Sequence, residues 1–404
     1  MWFKRDLLDS WTKQRTLSSR ILVGVRQCGK SSFLRAVAPP DARILELDDL
    51  QTREMARRDP ALLLESRAPI TIIDEAQYAP ALFPEIKKRI DRFRAERAAD
   101  SAHLERREPV FWLSGSNRTL LDREVKESLA GRVSYWSLHP LSVRELVRAF
   151  PALNLSEIFL RGGWPELYLD RTLSPLRFLN DYIVSFVEKD IVLSAGIQKT
   201  AAFQAFLGLL AARTAQMANF SEMGAQCGSE TTTVQDWFGV LERNQIAMRL
   251  PPFATNLSKR LVKSPKLYIL DAGLAARLQG WSEAEPLIRS PAIGALFETL
   301  VLGELARARD HLGLDSRLSY WRTRDGEEID FIVEGPNQKR VALEAKFAVQ
   351  NVAAFRLSND FTKSVGPLAA AAVVTFGGAR RQLSAWCEQI PIAELGEFLV
   401  EIFG

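Results

Sequence analysis

The eight residues from Gly24 to Ser31 constrain this chain more than any others. They read Gly-Val-Arg-Gln-Cys-Gly-Lys-Ser, follow the apolar run Arg20 to Gly24 and precede a helical pattern over Ser31 to Val37. Glycine lets the backbone curl so that its N–H groups face anionic oxygens, and the N-terminus of the next helix adds positive partial charge. This context predicts a phosphate-binding loop on an α/β sheet.

Each position of the loop has an expected role. The ammonium of Lys30 is expected to contact the β- and γ-phosphates of ATP, and the Ser31 hydroxyl is expected to bind Mg²⁺. Cys28 is expected to contribute its backbone alone, because side chains at the variable positions point away from the phosphates. The predicted nucleotide contacts are Gly24, Gln27, Cys28, Gly29, Lys30, Ser31, Ser32 and Asp74.

A second acidic motif complements the loop. Thr71-Ile72-Ile73-Asp74-Glu75 is a buried-strand pattern that ends in two carboxylates. We expect Asp74 to hold Mg²⁺ and Glu75 to polarise the attacking water as a general base. The alternative is a solvated strand end beside a coincidental glycine loop, which requires two accidents in the right order.

Alternation of strands and helices predicts the fold of the first third. Fully buried parallel strands explain near-continuous apolar runs, and the stretches between them are long enough for crossover helices. After Pro151 the pattern is helical, broken by a turn at Gly162-Gly163-Trp164-Pro165. The predicted domains are an ATPase core (1–150), a helical lid (151–197), a winged-helix domain (198–288) and an α+β domain (289–404). The five predicted strands are Arg20 to Gly24, Arg43 to Leu47, Ile70 to Asp74, Val110 to Ser114 and Val133 to Leu138.

The middle of the chain has the spacing of a winged helix. Thr231 begins a helical pattern whose apolar positions form a core stripe, and its polar positions are candidates for a DNA groove. A basic cluster follows, which we interpret as a phosphate-contacting surface, whereas a solvated helix face or a protein-contacting winged helix are the alternatives. The candidates are Thr232, Gln235, Asp236 and Arg243 on the helix and Lys259, Arg260, Lys263 and Lys266 in the cluster.

The first 190 residues resemble the AAA+ ATPases. The likeness lies in the order of Gly24 to Ser31, Ile72 to Glu75, Leu113 to Asn117 and Ala130-Gly131-Arg132. It implies that Asn117, or its neighbour Ser116, senses the γ-phosphate and that Arg132 is an arginine finger. It also implies a ring-shaped homo-oligomer, with a hexamer as one option, since a finger acts on a neighbour's nucleotide. A surface salt bridge is the alternative role for Arg132.

The last third contains acidic residues on predicted strands. Asp330 lies in the strand pattern Glu328 to Val333, Glu344 and Lys346 share one face of Val341 to Phe347, and Glu298 interrupts an apolar helix. This grouping resembles the PD-(D/E)XK nucleases, although Ile329 replaces the leading proline. The resemblance implies that Asp330 and Glu344 bind a divalent metal, that Glu298 completes the metal site and that Lys346 positions water.

Three readings of this C-terminal α+β domain stay open. It is an active nuclease, an inactive nuclease-like domain that binds DNA or protein, or an unrelated core with a structural ion pair. The whole chain resembles prokaryotic AAA+ ATPases with a C-terminal nuclease-like domain. We therefore predict an ATPase that couples nucleotide state to DNA binding and metal-dependent cleavage or remodelling. The alternative is a regulatory or signalling ATPase with an inactive C-terminal domain.

Composition limits the partners and the cellular location that we expect for this chain. The 404 residues carry a net charge of +4, which permits DNA as a partner without requiring it. Three dispersed cysteines argue against a disulfide framework, and the N-terminus has no apolar signal segment. The longest apolar stretches are too short for a bilayer, so no membrane association and a cytoplasmic location are expected.

Overall fold

The first unit is a parallel sheet. We describe a computed structural model that covers residues 2–14, 16–99, 108–253, 264–348, 350 and 352–404. Five parallel strands are arranged in the order β2-β3-β4-β1-β5, so that β1 lies between β4 and β5. The predicted parallel sheet is confirmed. Its strands are β1 (Arg20–Val23), β2 (Arg43–Glu46), β3 (Ile70–Asp74), β4 (Val110–Gly115) and β5 (Ser134–Ser137).

Helices cover both faces of this sheet. The helix after the phosphate-loop motif starts at Lys30, and the helix after β4 begins where the Asn117 side chain accepts a hydrogen bond from the N–H of Leu120 at 3.2 Å. Such a cap satisfies a backbone donor that has no partner within the helix. The helices are α1 (Leu7–Lys13), α2 (Lys30–Val37), α3 (Leu50–Arg58), α4 (Pro60–Leu63), α5 (Leu82–Ala99), α6 (Arg118–Ser128) and α7 (Val143–Ala149).

A helical region follows the sheet, with the predicted turn inside it. Gly162 adopts a φ of 56°, in the left-handed region that glycine tolerates best. The carbonyl of Gly163 accepts a hydrogen bond from the N–H of Leu141 at 2.7 Å, which ties this turn to the first unit. The helices are α8 (Ile158–Arg161), α9 (Glu166–Leu169), α10 (Pro175–Tyr182), a π-helical segment (Ile183–Ile191) and α11 (Val192–Ala195).

The next segment combines helices with a small antiparallel sheet. The strand order is β6-β8-β7, and the helix that precedes β7 has an apolar stripe in the core. The elements are α12 (Thr200–Ala212), β6 (Gln216–Met217), α13 (Phe220–Cys227), α14 (Thr231–Arg243), β7 (Ala247–Leu250), β8 (Lys266–Ile269), α15 (Ala272–Leu278) and α16 (Ala284–Arg289).

A mixed sheet with one long helix completes the chain. The strand order is β13-β14-β12-β11-β10-β9, in which β11 pairs with β10 antiparallel and with β12 parallel. The edge strand β13 and its neighbour β14 were not predicted from sequence. The elements are α17 (Ile293–His311), β9 (Arg317–Arg322), β10 (Glu328–Glu334), β11 (Arg340–Lys346), α18 (Asn359–Val365), β12 (Ala370–Thr375), β13 (Arg381–Ser384), β14 (Cys387–Pro391) and α19 (Leu395–Phe403).

One hydrophobic core joins these regions. It runs without a break from Trp11 and Leu138 in the first unit, through Trp164 and Phe238, to Leu343 in the mixed sheet. Burial of apolar area is the main favourable term in folding, so shared core surface holds the regions in contact. A second core fills the other face of the parallel sheet, and a third the other face of the mixed sheet.

Candidate functional site

The phosphate-loop motif forms a tight turn between β1 and α2. Gln27 and Gly29 have φ values of 62° and 98°, both in the left-handed region. The ammonium of Lys30 is buried and donates hydrogen bonds to the carbonyls of Gly24 and Val25 at 3.0 and 3.1 Å. Lysine therefore lies inside the curve of the loop, where a bound phosphate would compete for its protons.

The other predicted loop residues divide by exposure. The Cys28 thiol is buried and points to the carbonyl of Leu138 at 3.2 Å, so it faces away from the loop opening. Gln27 and Ser32 are exposed, and Ser31 is half-buried in the first turn of α2. A serine hydroxyl at that position is an oxygen ligand of the kind Mg²⁺ prefers.

An arginine outside the motif, Arg5, holds the phosphate loop in place through hydrogen bonds. The guanidinium of Arg5 donates to the carbonyl of Cys28 at 2.9 Å and to the carbonyl of His139 at 2.5 Å. It also donates to the buried carboxylate of Glu145 at 3.1 Å. Three partners fix this planar group, and through Cys28 they fix the loop. Arg5 was missed at the sequence level because its partners lie 23 to 140 residues away.

The two acidic residues at the end of β3, Asp74 as its last residue and Glu75 directly after it, lie beside the end of β4. Asp74 accepts a short hydrogen bond from the Ser114 hydroxyl. Glu75 has a φ of 53° and accepts hydrogen bonds from the N–H and hydroxyl of Ser116 at 3.3 and 2.8 Å. Burial opposes its ionisation, but the Lys30 ammonium and these hydrogen bonds hold the pKa of Glu75 below its usual range. Glu75 is therefore a carboxylate at neutral pH.

Two neighbouring polar residues at the end of β4, Ser116 and Asn117, make different contacts. Asn117 is buried and caps α6, whereas Ser116 contacts Glu75 directly. Of the two residues named for the γ-phosphate sensor, Ser116 is thus the one in contact with the acidic pair. Asn117 lies one residue further and faces its own helix.

Asp48 is an acidic residue near this site that sequence reasoning overlooked. It follows β2, which lies next to β3 in the sheet. Burial together with the carboxylates of Glu75 and Asp74 raises the pKa of Asp48. The sequence did contain a signal for Asp48, because it follows a predicted strand and the carboxyl ends of adjacent parallel strands meet at one edge of the sheet.

Arg132 is paired within the chain. Its guanidinium donates to both carboxylate oxygens of Asp91 at 2.6 and 2.7 Å. This two-pronged pair is the arrangement expected for a salt-bridge residue. The assignment of Arg132 as an arginine finger stays a prediction. Arg161, another arginine in the helical region after the sheet, donates to Glu157 and to the carbonyl of Leu167.

A second polar cluster lies where β8 meets the C-terminal unit. The Lys266 ammonium is 2.7 Å from the Glu298 carboxylate and also contacts Glu328, with its side chain 4% exposed. Glu298 accepts a further hydrogen bond from the Tyr268 hydroxyl at 2.6 Å. Burial and the Asp330 carboxylate raise the pKa of Glu298 to about 7. The interpretation of Lys266 as part of an exposed basic surface is therefore wrong.

The remaining predicted residues of the C-terminal unit adjoin that cluster. One Asp330 oxygen accepts the N–H of Ala345 at 2.9 Å, and Lys346 pairs with Glu344 at 3.2 Å. Burial, with Asp330 nearby, raises the pKa of Glu344 to about 7. The Asp330 carboxylate thus acts on both Glu298 and Glu344, while the metal site made from these three residues stays a prediction.

The two clusters differ in how they suit a divalent metal. Ser31 and Asp74 offer hard oxygen ligands beside the loop, which fits Mg²⁺. In the C-terminal cluster, Glu298 already binds a lysine and a tyrosine, which does not fit a metal as arranged. Across the described ranges, no three His, Cys, Asp or Glu side chains are gathered as a metal-binding group.

The predicted DNA-facing helix has the expected exposure. The polar residues Thr232, Gln235, Asp236 and Arg243 of α14 are exposed, while the stripe of Val234 and its helical neighbours is buried. The cluster residues Lys259, Arg260 and Lys263 lie outside the described residues. In the part of the chain that the structure covers, no helix has the length and apolar character needed to cross a bilayer.

Three family models match successive parts of the chain. An AAA domain matches residues 18–147, a domain of unknown function (DUF8612) matches 153–285, and another (DUF4143) matches 293–395. Among solved structures, the chain is similar to the Walker-type ATPase PABY2304 of Pyrococcus abyssi, with 16% identity and a TM-score of 0.41 over 68% of this chain and 93% of that one. It is also similar to the ORC2 protein of Aeropyrum pernix, with 11% identity and a TM-score of 0.29 over 68% of this chain and 90% of that one.

Sequence relatives cover most of the chain. An uncharacterized protein of Haemophilus influenzae is 22% identical over 342 residues, 78% of each chain. The uncharacterized protein Rv2008c of Mycobacterium tuberculosis is 31% identical over 322 residues, which are 78% of this chain and 67% of that protein. The protein is thus a P-loop ATPase with an N-terminal AAA domain, and it belongs to the same family as Rv2008c.

Proposed function

We propose that this protein hydrolyses ATP and uses the nucleotide state to control DNA binding by the segment 198–288. The ATPase part is supported by the phosphate-loop turn after β1 and by the acidic pair at the end of β3, two parallel strands that have β4 between them. The control of DNA binding is supported by one contact, described below, between the helix after β4 and the helix α14.

The residues of the first unit have these proposed roles. The loop N–H groups and Lys30 bind the phosphates, and Lys30 exchanges its carbonyl partners for phosphate oxygens. Ser31 and Asp74 would hold Mg²⁺, which neutralises charge on the β- and γ-phosphates. Glu75, ionised at neutral pH, accepts a hydrogen bond from the attacking water and orients it. Ser116 contacts Glu75, and the next residue, Asn117, caps α6. A change in the position of Glu75 on nucleotide binding would therefore be transmitted to α6 through these two residues.

The proposed winged helix is the reason for proposing DNA as the partner. The order α12, β6, α13, α14, β7, β8 places two strands after the helix with the exposed polar face, as in a winged helix that reads a major groove. Arg243 and the two exposed threonines at the start of α14, Thr231 and Thr232, can contact phosphates or bases, whereas Asp236 repels phosphate. The proposed partner is therefore duplex DNA bound along α14.

The contact that supports coupling involves Asn244, at the end of α14. Its side-chain oxygen accepts the N–H of Arg118 at 3.1 Å, and its amide donates to Thr119 at 3.0 Å. Both partners belong to the first turn of α6, directly after the polar end of β4. A shift of Ser116 on γ-phosphate binding therefore has a short hydrogen-bonded route to the DNA-facing helix.

Fluorescence anisotropy of labelled duplex DNA tests the proposal. We expect affinity to differ between ADP and a slowly hydrolysed ATP analogue, and Lys30→Ala to remove both hydrolysis and this difference. Asn244→Ala should keep hydrolysis but reduce the difference, since coupling energies of about 1–3 kcal/mol are typical. Gln226→Ala, on the exposed side of α13, is the control. DNA affinity that ignores nucleotide in the unaltered protein would refute the coupling.

The same preparation tests the remaining predictions for the C-terminal unit. Plasmid and branched DNA incubated with Mg²⁺ or Mn²⁺ would be cut by an active nuclease, and Asp330→Ala or Lys346→Ala would stop the cutting. The occupied carboxylate of Glu298 favours the alternative, in which this unit binds DNA or protein without cleavage. Light scattering with the ATP analogue tests the proposed homo-oligomer.

A further inference from the structure

We infer that Lys266 is the resident cation of the C-terminal acidic cluster, so that this cluster takes up no divalent metal while β8 is docked. The cluster is defined by Glu298, Glu328, Asp330 and Glu344. The inference stands apart from ATP hydrolysis and DNA binding, because it concerns which cation these carboxylates hold.

Geometry places the Lys266 ammonium where a metal would have to lie. It contacts Glu298 on α17 and Glu328 on β10, two elements that the sheet brings together only in the folded unit. The ring of Tyr320, 5.6 Å from the ammonium, lies on another side. With 4% of its side chain exposed, Lys266 cannot be displaced by a simple turn into solvent.

The charges of the cluster explain why a cation is needed there. Isolated carboxylates lose much of their hydration on burial, and that cost is met only by close countercharge and hydrogen bonds. Lys266 and the Tyr268 hydroxyl supply both to Glu298. Lys346 serves Glu344 from the outer side, with its own side chain 57% exposed. A divalent ion added to this set would meet the ammonium within contact distance and be repelled.

The cation comes from a different part of the chain than the carboxylates. Lys266 and Tyr268 lie on β8, which pairs with β7 directly after α14. The carboxylates lie on α17, β10 and β11. The binding of a metal by the C-terminal unit therefore depends on the position of β8, which belongs to the small sheet next to α14. While β8 is in place, its Lys266 occupies the acidic cluster and excludes a metal.

Manganese titration followed by electron paramagnetic resonance tests this inference, with nucleotide-free protein in an Asp74→Asn background that removes the loop site. We expect the Lys266-containing protein and its Asp330→Asn variant to leave equal amounts of free Mn²⁺. Lys266→Met should gain one site that binds at least about tenfold more tightly, the scale on which neighbours of a metal site alter affinity. Adding Asp330→Asn to Lys266→Met should abolish the gained site.

Two further variants make the test specific. Lys346→Met removes the other lysine near the cluster and should gain no comparable site. Lys266→Gln keeps a hydrogen-bond donor to Glu298 without the charge, and it replaces Lys266→Met if that variant fails to fold by circular dichroism. Mn²⁺ binding that depends on Asp330 in the protein with Lys266 intact would overturn the inference. A folded Lys266 variant that gains no Mn²⁺ site would overturn it as well.

Discussion

Replacement of Arg5 by methionine should weaken both the fold and the nucleotide site. The substitution removes the guanidinium but keeps most of the apolar volume. It leaves the Glu145 carboxylate, whose side chain is fully buried, without its cation, and it frees the carbonyls of Cys28 and His139. Breaking a buried pair by removing one partner costs about 3–5 kcal/mol. At about 1.2 °C per kcal/mol for a chain of 404 residues, the expected fall in melting temperature is about 4–6 °C.

The matched control is an exposed pair. Arg289 and Glu285 form an i, i+4 salt bridge on α16 with side chains 77% and 76% exposed. Such pairs contribute about 0.3–0.5 kcal/mol, so Arg289→Met should melt within about 2 °C of the unaltered protein. Differential scanning fluorimetry measures both variants, and a fluorescent ATP analogue measures the affinity of the loop.

Two results test whether Arg5 stabilises the phosphate loop. The double variant Arg5→Met/Glu145→Gln should recover part of the loss, because the uncompensated charge has been removed. An Arg5→Met protein that melts and binds nucleotide like Arg289→Met would refute the role of Arg5 as the brace of the loop.

Three more predictions concern catalysis and pH. Glu75→Gln should retain ATP analogue binding while phosphate release falls by about 10²–10⁴-fold, and unchanged release would exclude Glu75 as the general base. Arg132→Met should reduce phosphate release by about 10³-fold or more if it is a finger, whereas a salt-bridge role predicts the same small effect as Asp91→Asn. Burial lowers the pKa of His311 to about 3 from the ordinary 6.5, so the unfolded chain takes up this proton first as the pH falls. The contribution of His311 to stability is present above about pH 6.5 and should decline as the pH falls towards about 3, by at most about 1.4 kcal/mol per pH unit, so the pH profile of His311→Gln in urea unfolding series should lack this contribution. An unchanged pH profile in His311→Gln would contradict this assignment.

The first unit was readable from sequence because its signals are local. The strand that ends at Asp74 is a continuous apolar run, and the loop at Gly24 to Ser31 has its flanking strand and helix within a few residues. Parallel order then follows from alternation with helices, which is a short-range pattern. The same logic predicted that Asp74 and Glu75 lie at the same edge of the sheet as the loop, but not that β4 separates β3 from β1.

Residues whose role depends on distant partners were misread or missed. Lys266 belonged to a basic run in the sequence, and only the approach of α17 and β10 shows that it is buried among carboxylates. The edge strand Arg381–Ser384 contains no buried residue, so the sequence has no hydrophobic periodicity there that would indicate a strand. Charge pattern alone does not separate a solvated lysine from one held in an ion-pair cluster.

The bracing of the phosphate loop by Arg5 has a practical consequence for dissecting the molecule. The match to the AAA domain begins at residue 18, which makes that position a tempting start for an excised fragment. A fragment cut there would discard the guanidinium beneath the loop and also Trp11, whose ring packs against Phe33 of α2. Expression designs for the isolated ATPase should therefore include the helix Leu7–Lys13 and the arginine before it.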